Sequence, residues 1–303
     1  MMTGFTHYGA GWPSWLAFEL SVLRRLNFKS VALPYTGEPH LGLALKRWGY
    51  RVAANDPAPW AWVKAQAFIE NNTDPLTETD VETVLYDAYV PGYQLSNPRL
   101  RDWFGETDAW WFDNVQRNIK HLTLPTTRAL AQATAMAVGD YALSFDEATR
   151  ALRQPLSKVF RRLWQAQPPL VNNSQRNISA HQTAREFTAW QHTDLFFLRL
   201  PPRHAGPTLH AWRDVWLNGN GIADGNSPRP HQRVETKQQY LQLVEDLLHT
   251  ANHIAVWAVA HVEDGFVSTT ELVETIRRVR PVDTVFAKDF SEINGLRAAI
   301  ITA

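Results

Sequence analysis

The chain has 303 residues, with 30 Lys and Arg against 30 Asp and Glu, 45% hydrophobic and 20% charged residues, and no Cys. That balance belongs to a folded globular protein rather than a disordered one, and a formal charge of zero supplies no global attraction to a polyanion. The lack of Cys excludes disulfides, thiolate zinc sites, iron–sulfur clusters and a thiol nucleophile. No apolar run reaches the roughly 20 residues of a membrane-spanning helix, and residues 1–8 lack a basic segment followed by an apolar one. A cytoplasmic protein without membrane contact is expected, built as one fold or as one domain with a sizeable insertion.

In chain order, the first third alternates helices and strands. Residues 15–26 form an amphipathic helix pattern, with Leu16, Leu20, Leu23 and Leu26 on one face. A short apolar strand over 30–34 ends at a Pro-Tyr-Thr-Gly turn. A helix follows over 40–48, with Gly49 suited to its C′ position. Residues 50–54 form a second strand closing on Asn55-Asp56-Pro57, and 60–71 are helical. A strand, a turn, a helix and a strand tipped by an acid fit a right-handed βαβ unit.

The middle, over 98–167, changes character. Helices are expected around 106–121, 126–137, 145–150 and 156–166, with few strand signals, so the segment is read as a helical insertion into a domain of 1–97 and 168–303. After Pro168-Pro169 the alternation returns: strands over 194–200 and 253–262, helices over 237–250 and 269–279, and final strands over 284–288 and 297–302. Residues 204–231, rich in Gly, Pro and Asn, read as a long loop. The fold class is α/β, a mostly parallel sheet with helices on both faces and one helical insertion.

In such a sheet, ligands bind outside the carboxyl ends of strands, near the point where the strand order reverses. The first strand end, Pro34-Tyr35-Thr36-Gly37-Glu38-Pro39-His40, keeps one glycine for close backbone approach, while Pro39 has no amide to donate. The second carries Asp56, whose carboxylate can accept both hydroxyls of a ribose and equally well form a turn. The third is Leu198-Arg199-Leu200-Pro201-Pro202-Arg203-His204, which offers no carboxylate to accept a proton. His204, His210 and His231 share a loop without metal-ligand spacing, so no metal is expected. No G-x-S-x-G elbow is present. Arg153, Lys158, Arg161 and Arg162 make a basic cluster, which a solvated helix face would also explain. The pairs Trp110-Trp111 and Trp212/Trp216 could stack on bases, although core packing is the simpler account.

The order of these pieces resembles the D12 class of DNA adenine-N6 methyltransferases. Their S-adenosylmethionine-dependent domain has the class I, Rossmann-like methyltransferase fold and carries a helical target-recognition insertion. Tyr8-Gly9-Ala10-Gly11-Trp12 is similar to the family's Y-x-G-x-K-like opening, and residues 31–39 to its V-E-P-F-A-G-S-G loop. Residues 50–56 are similar to the strand whose terminal acid holds the cofactor ribose. Residues 101–122 resemble the start of the insertion, 172–186 the strand and helix before the catalytic motif, and 194–203 the strand with its D-P-P-Y. Residues 264–272 resemble a late segment of one branch. The resemblance implies S-adenosylmethionine as cofactor, touched by Tyr8, Trp12, Pro34, Tyr35, Gly37 and Asp56. DNA contact is expected on Arg153, Lys158, Arg161 and Arg162.

The departures fall on the chemistry. In D-P-P-Y the acid and a neighbouring carbonyl accept from the adenine amino group, while the Tyr stacks on the extruded base. Here the motif positions hold Leu200, Pro201, Pro202 and Arg203, and leucine cannot accept a hydrogen bond. The opening Lys is Trp12 and the loop's second glycine is Pro39. A basic K-R-P-F-N-like segment stands as Val138-Gly139-Asp140-Tyr141-Ala142, and a late S-Y-R-like strand end as Ala258-Val259-Ala260-His261. A preserved framework with altered chemical positions points to a non-catalytic relative. Such a protein would act as a structural or DNA-recognition subunit with a protein partner, either a paralogous active methyltransferase or a second copy, and would bind DNA weakly alone. Two alternatives remain: an active enzyme in which Asp194 or another acid replaces the lost carboxylate, and a nucleotide or small-molecule binder that reuses the cleft.

Overall fold

A computed structural model describes residues 13–146, 148–200, 211–218, 234, 236–263, 265–290 and 296–303. Among the described residues seven strands form one sheet: β1 (Ser30–Leu33), β2 (Arg51–Asn55), β3 (Ile178–Ala180), β4 (Leu195–Arg199), β5 (Val256–Glu263), β6 (Thr284–Phe290) and β7 (Leu296–Thr302). Their order is β3-β2-β1-β4-β5-β7-β6. The first five run parallel, with Val31 opposite both Val52 and Leu195, and Phe196 opposite Trp257. β7 is antiparallel to both β5 and β6. Every residue of β4 is buried, as a central parallel strand covered on both faces requires. The order reverses between β1 and β4, which places a topological switch point at their carboxyl ends.

The chain divides into two compact units. One comprises Met1–Ala65, Asn173–Gly206 and Pro228–Ala303; the other comprises Gln66–Asn172 and Pro207–Ser227. The first holds the sheet with helices α1 (Pro13–Leu23), α2 (His40–Arg47) and α3 (Pro59–Ala65). The second is helical and wider than 98–167. It opens with a π-helical turn, Gln66–Glu70, and continues through α4 (Glu78–Leu85), α5 (Glu106–Ile119), α6 (Pro125–Leu143) and α7 (Leu156–Gln165). Helix α8 (Ala184–Trp190) returns to the sheet unit, α9 (Ala211–Asn218) to the helical one, and α10 (Lys237–Thr250) and α11 (Thr269–Arg277) to the sheet unit.

Several expectations hold locally for identifiable reasons. Gly49 ends α2 with φ +86, and the amides of Gly49 and Tyr50 close on the carbonyls of Lys46 and Leu45 at 3.0 and 3.2 Å. Helices α8, α10 and α11 each start on a reciprocal capping box, at Thr183/Glu186, Thr236/Gln239 and Ser268/Glu271. Helix α1 differs from its expected face. Trp15, Phe18, Glu19, Val22 and Leu23 are buried, because Trp15 and Phe18 cluster with Phe290, leaving Leu16 and Leu20 half-buried.

Other expectations are corrected. Among the described residues of 145–150 there is no α-helix; Asp146 Oδ1 accepts the Thr149 amide and hydroxyl at 2.8 and 2.7 Å, a side-chain engagement that competes with helix formation. The helix expected to end at 137 continues to Leu143, so residues 138–142 are helical. Residues 211–218, expected inside a loop, form α9. Trp212 and Trp216 lie at the centre of the helical unit, not on a base-stacking surface. Trp212 meets Phe104 and Phe112 with ring centroids 5.3 and 5.5 Å away, and Trp216 Nε1 donates to the Phe112 carbonyl at 2.9 Å. Trp110 and Trp111 are buried as well, and Trp111 Nε1 donates to Ser157 Oγ at 2.8 Å. Close approach explains Gly139: a Cβ there would stand 2.1 Å from the Trp212 ring.

Candidate functional site

The residues beyond β1, β2 and β3 meet at the carboxyl edge of the sheet. Asn55, fully buried at the end of β2, donates Nδ2 to the carbonyls of Pro34 and Gln182 at 2.9 and 3.1 Å and accepts the Gln182 amide on Oδ1 at 3.0 Å. Its own carbonyl accepts the Thr36 amide and hydroxyl at 2.9 and 3.0 Å. One side chain therefore fastens three strand ends. The next residue, Asp56, accepts the Gly37 amide on Oδ2 at 2.8 Å and the Ala58 amide on Oδ1 at 2.9 Å. Gly37 takes φ +56, the left-handed conformation in which a glycine carries no Cβ penalty. Burial, with the Asp56 carboxylate adding to it, pushes the Tyr35 phenol far above its ordinary pKa and keeps it protonated.

Beyond Gly37 the loop is tied by charge. Glu38 accepts from Lys64 Nζ on both carboxylate oxygens, at 2.6 and 2.8 Å, and Lys64 also lies 5.4 Å from the Trp60 ring centroid. Pro39 stands at the N-cap of α2 and makes no side-chain cap. On the β3 side, the His181 ring stacks on Trp62 with centroids 5.0 Å apart and planes 10° from parallel. His181 Nε2 is 3.2 Å from the Pro57 carbonyl. Burial lowers the His181 pKa, partly opposed by that carbonyl, which favours a neutral ring donating through Nε2.

At the carboxyl end of β4 stands a buried ion pair. Arg199 donates Nε and Nη2 to the two carboxylate oxygens of Glu19, each at 2.7 Å, and Nη1 to the Thr36 carbonyl at 3.2 Å. The side chains are 8% and 0% exposed. Leu200 keeps a ladder bond to the Ala260 carbonyl at 3.2 Å and packs against the apolar cluster that includes Phe196, Leu198 and Val259. Tyr8, Trp12, Pro201, Pro202 and Arg203 lie outside the described residues, as do His204, His210 and His231. Asp194, considered as a replacement acid, sits at the opposite end of β4, about 16 Å from Arg199 at the usual rise per residue. There it accepts the amides of Lys29 and Ser30 at 2.8 and 2.9 Å, contacts that lower its pKa. It serves the amino edge of the sheet and is no replacement acid at the carboxyl edge.

The expected basic cluster is divided by its surroundings. Arg153 bonds the buried Asp108 at 2.5 Å, and Arg161 bonds Glu78 at 2.7 Å. Arg162 lies over the Tyr141 ring at 5.8 Å, and Lys158 is exposed. Two of the four cations thus pair with acids of the same unit, Arg153 with a buried one and Arg161 with an exposed one. Asp140, which stands where the resemblance places positive charge, holds the buried Arg213 of α9 in an ion pair.

Glu19, Arg199 as its partner, and the Trp62–His181 stack were missed from sequence. The available signal for Glu19 was an acid on the same stripe as Trp15 and Leu23. Among the described residues, no group of three or more His, Asp or Glu side chains is placed to hold a metal ion, and no helix is long and apolar enough to cross a membrane. A scan against protein-family models and a search of the curated proteins each found no match.

Proposed function

We propose that this chain is a catalytically inactive relative of the D12-class DNA adenine methyltransferases that works as a structural or recognition subunit beside an active partner. The observation that carries the proposal is the end of β4. Where adenine methylation needs an acceptor for the amino group, Leu200 is packed on the core, and its neighbour Arg199 is closed onto Glu19. The sheet order agrees with a class I methyltransferase-like fold: a parallel 3-2-1-4-5 series, then an antiparallel pair.

The residues fit S-adenosylmethionine poorly. A cofactor ribose could still share the Asp56 carboxylate, since each oxygen keeps a lone pair beyond the backbone amide it accepts, and the misfit lies in the loop above it. The loop above it presents Glu38, held by Lys64, and Pro39, which has no amide to offer. Subunit work needs shape and charge rather than a reactive carboxylate, so it survives these substitutions.

One alternative has its own support. Asp56, the left-handed Gly37 and the flat Trp62–His181 face stand at one edge, a set that suits a nucleoside without any transfer chemistry. Calorimetric titration with S-adenosylmethionine, S-adenosylhomocysteine and adenosine separates the readings. The proposal expects no heat from any of them at millimolar ligand and no methyl transfer to duplex DNA. Binding of adenosine alone would favour the nucleoside reading. Micromolar binding of S-adenosylmethionine with transfer to adenine would overturn the proposal.

A further inference from the structure

The helical unit carries a groove of about 580 Å³ lined by Thr79, Glu82, Thr83, Tyr86, Asp87, Arg117, Asn118 and His121. Its walls are α4 with the turn that follows, and the last turn of α5. The turn is held firmly. Asn114 donates Nδ2 to the carbonyls of Ala88 and Val90 at 3.0 and 2.8 Å, and Asn118 donates to those of Val84 and Tyr86 at 3.1 and 2.7 Å. On this fixed backbone the side chains point outward: Tyr86 is 71% exposed, Val90 55%, Tyr89 38%, and Tyr93 fully. Large apolar side chains on a rigid loop are costly to leave in water and lose little entropy when covered. At these exposures the three rings offer roughly 400 Å², about half of what one partner buries in a standard interface.

The charges say what covers the loop. Glu82 and Asp87 line the α4 side, and Arg117 with His121 lines the α5 side. Among the described residues neither acid makes an ion pair, and Arg117 is bonded to the Asn114 amide oxygen rather than to an acid. Phosphates would be repelled by the two acids, which argues against nucleic acid. A surface carrying both signs on opposite sides of one groove is complementary to itself when turned through a two-fold axis, since each acid edge then meets a basic edge.

We infer that the α4–α5 groove is an isologous interface, where a second copy of this chain lays its Tyr86 loop so that Glu82 of each copy faces Arg117 of the other. The inference rests on the helical unit alone and stands apart from the reading of the sheet edge. Neither cofactor nor DNA enters its test, so a failure of one leaves the other intact.

Sedimentation velocity of the full chain over a wide range of concentration tests it. The expected result is a reversible dimer, weakened about tenfold by Tyr86→Ala or by Glu82→Lys, as loss of one interface anchor or one facing charge predicts. Arg117→Glu is expected to weaken it similarly, and the double variant Glu82→Lys with Arg117→Glu to restore it, because the exchanged charges again face each other. All are surface changes, and unchanged thermal melting confirms that each variant is folded. A wild type that stays monomeric throughout would overturn the inference. So would a dimer indifferent to Tyr86→Ala, or a double variant that fails to restore association.

Discussion

Truncating Glu19 to alanine would strip the almost fully buried Arg199 guanidinium of its carboxylate and leave it the Thr36 carbonyl, 3.2 Å from Nη1. The two 2.7 Å bonds it loses are a parallel, charge-assisted pair. Breaking a buried pair by removing one partner costs about 3–5 kcal/mol. At roughly 2–4 °C per kcal/mol for a domain of this size, the sheet unit should melt about 6–20 °C earlier. Replacing both partners, as Glu19→Leu with Arg199→Met, removes the uncompensated charge and should recover most of that loss, since apolar replacement of a buried pair is often neutral. Scanning calorimetry of the wild type, Glu19→Leu, Arg199→Met and the double variant gives the complete cycle, with Glu19→Ala measured beside it. A Glu19→Ala cost under about 1 kcal/mol, or a double variant as damaged as the single one, would refute the view that the pair is buried and structural.

Gly139→Ala pushes a methyl into the Trp212 ring and should cost about 1–3 kcal/mol, read by chemical unfolding, with a changed near-ultraviolet dichroism from the displaced indole. Glu271 is held at a pKa of about 2 by the Ser268 amide, Lys237 and the Ser268 hydroxyl. Its contribution is full above its unfolded pKa near 4.5 and is lost as pH falls toward 2, so Glu271→Gln should flatten the acid limb of a stability–pH curve. Lys46 is buried and its pKa drops to about 8, so between about 8 and 10.5 the unfolded chain binds more protons and stability should rise with pH. Lys46→Met should abolish that rise, on the order of 2 kcal/mol.

What could be read from the sequence was what local chemistry determines. Strands β1, β2 and β4 are apolar runs stopped by Pro34, Asp56 and the 201–202 prolines, and their edges announce themselves. Strand β3, Ile178–Ala180, has only three half-buried residues and no apolar run, so only the family resemblance suggested a strand there. Helix α9 hid because its tryptophans sit inside a stretch of Gly, Pro and Asn, and its helical face exists only against Phe104 and Phe112. Asp56 was legible as a strand-tip acid, but its engagement by Gly37 and Ala58 was not. The Glu19–Arg199 pair joins residues 180 positions apart, and no spacing rule reaches that far. Arg153 and Arg161 looked like surface cations because their acids, Asp108 and Glu78, lie 45 and 83 positions away.

Asn55 and Asp56 together hold the amides of Thr36, Gly37, Ala58 and Gln182, which belong to three different loops. Two adjacent residues thus act as a common rivet, and the loops above β1, β2 and β3 cannot loosen one at a time without breaking bonds at the same point. In hydrogen exchange these four amides should behave as a single opening unit with one shared protection. A ligand approaching this edge meets a rim that is either shut throughout or released throughout, so any binding here would show a threshold rather than a graded loosening of individual loops.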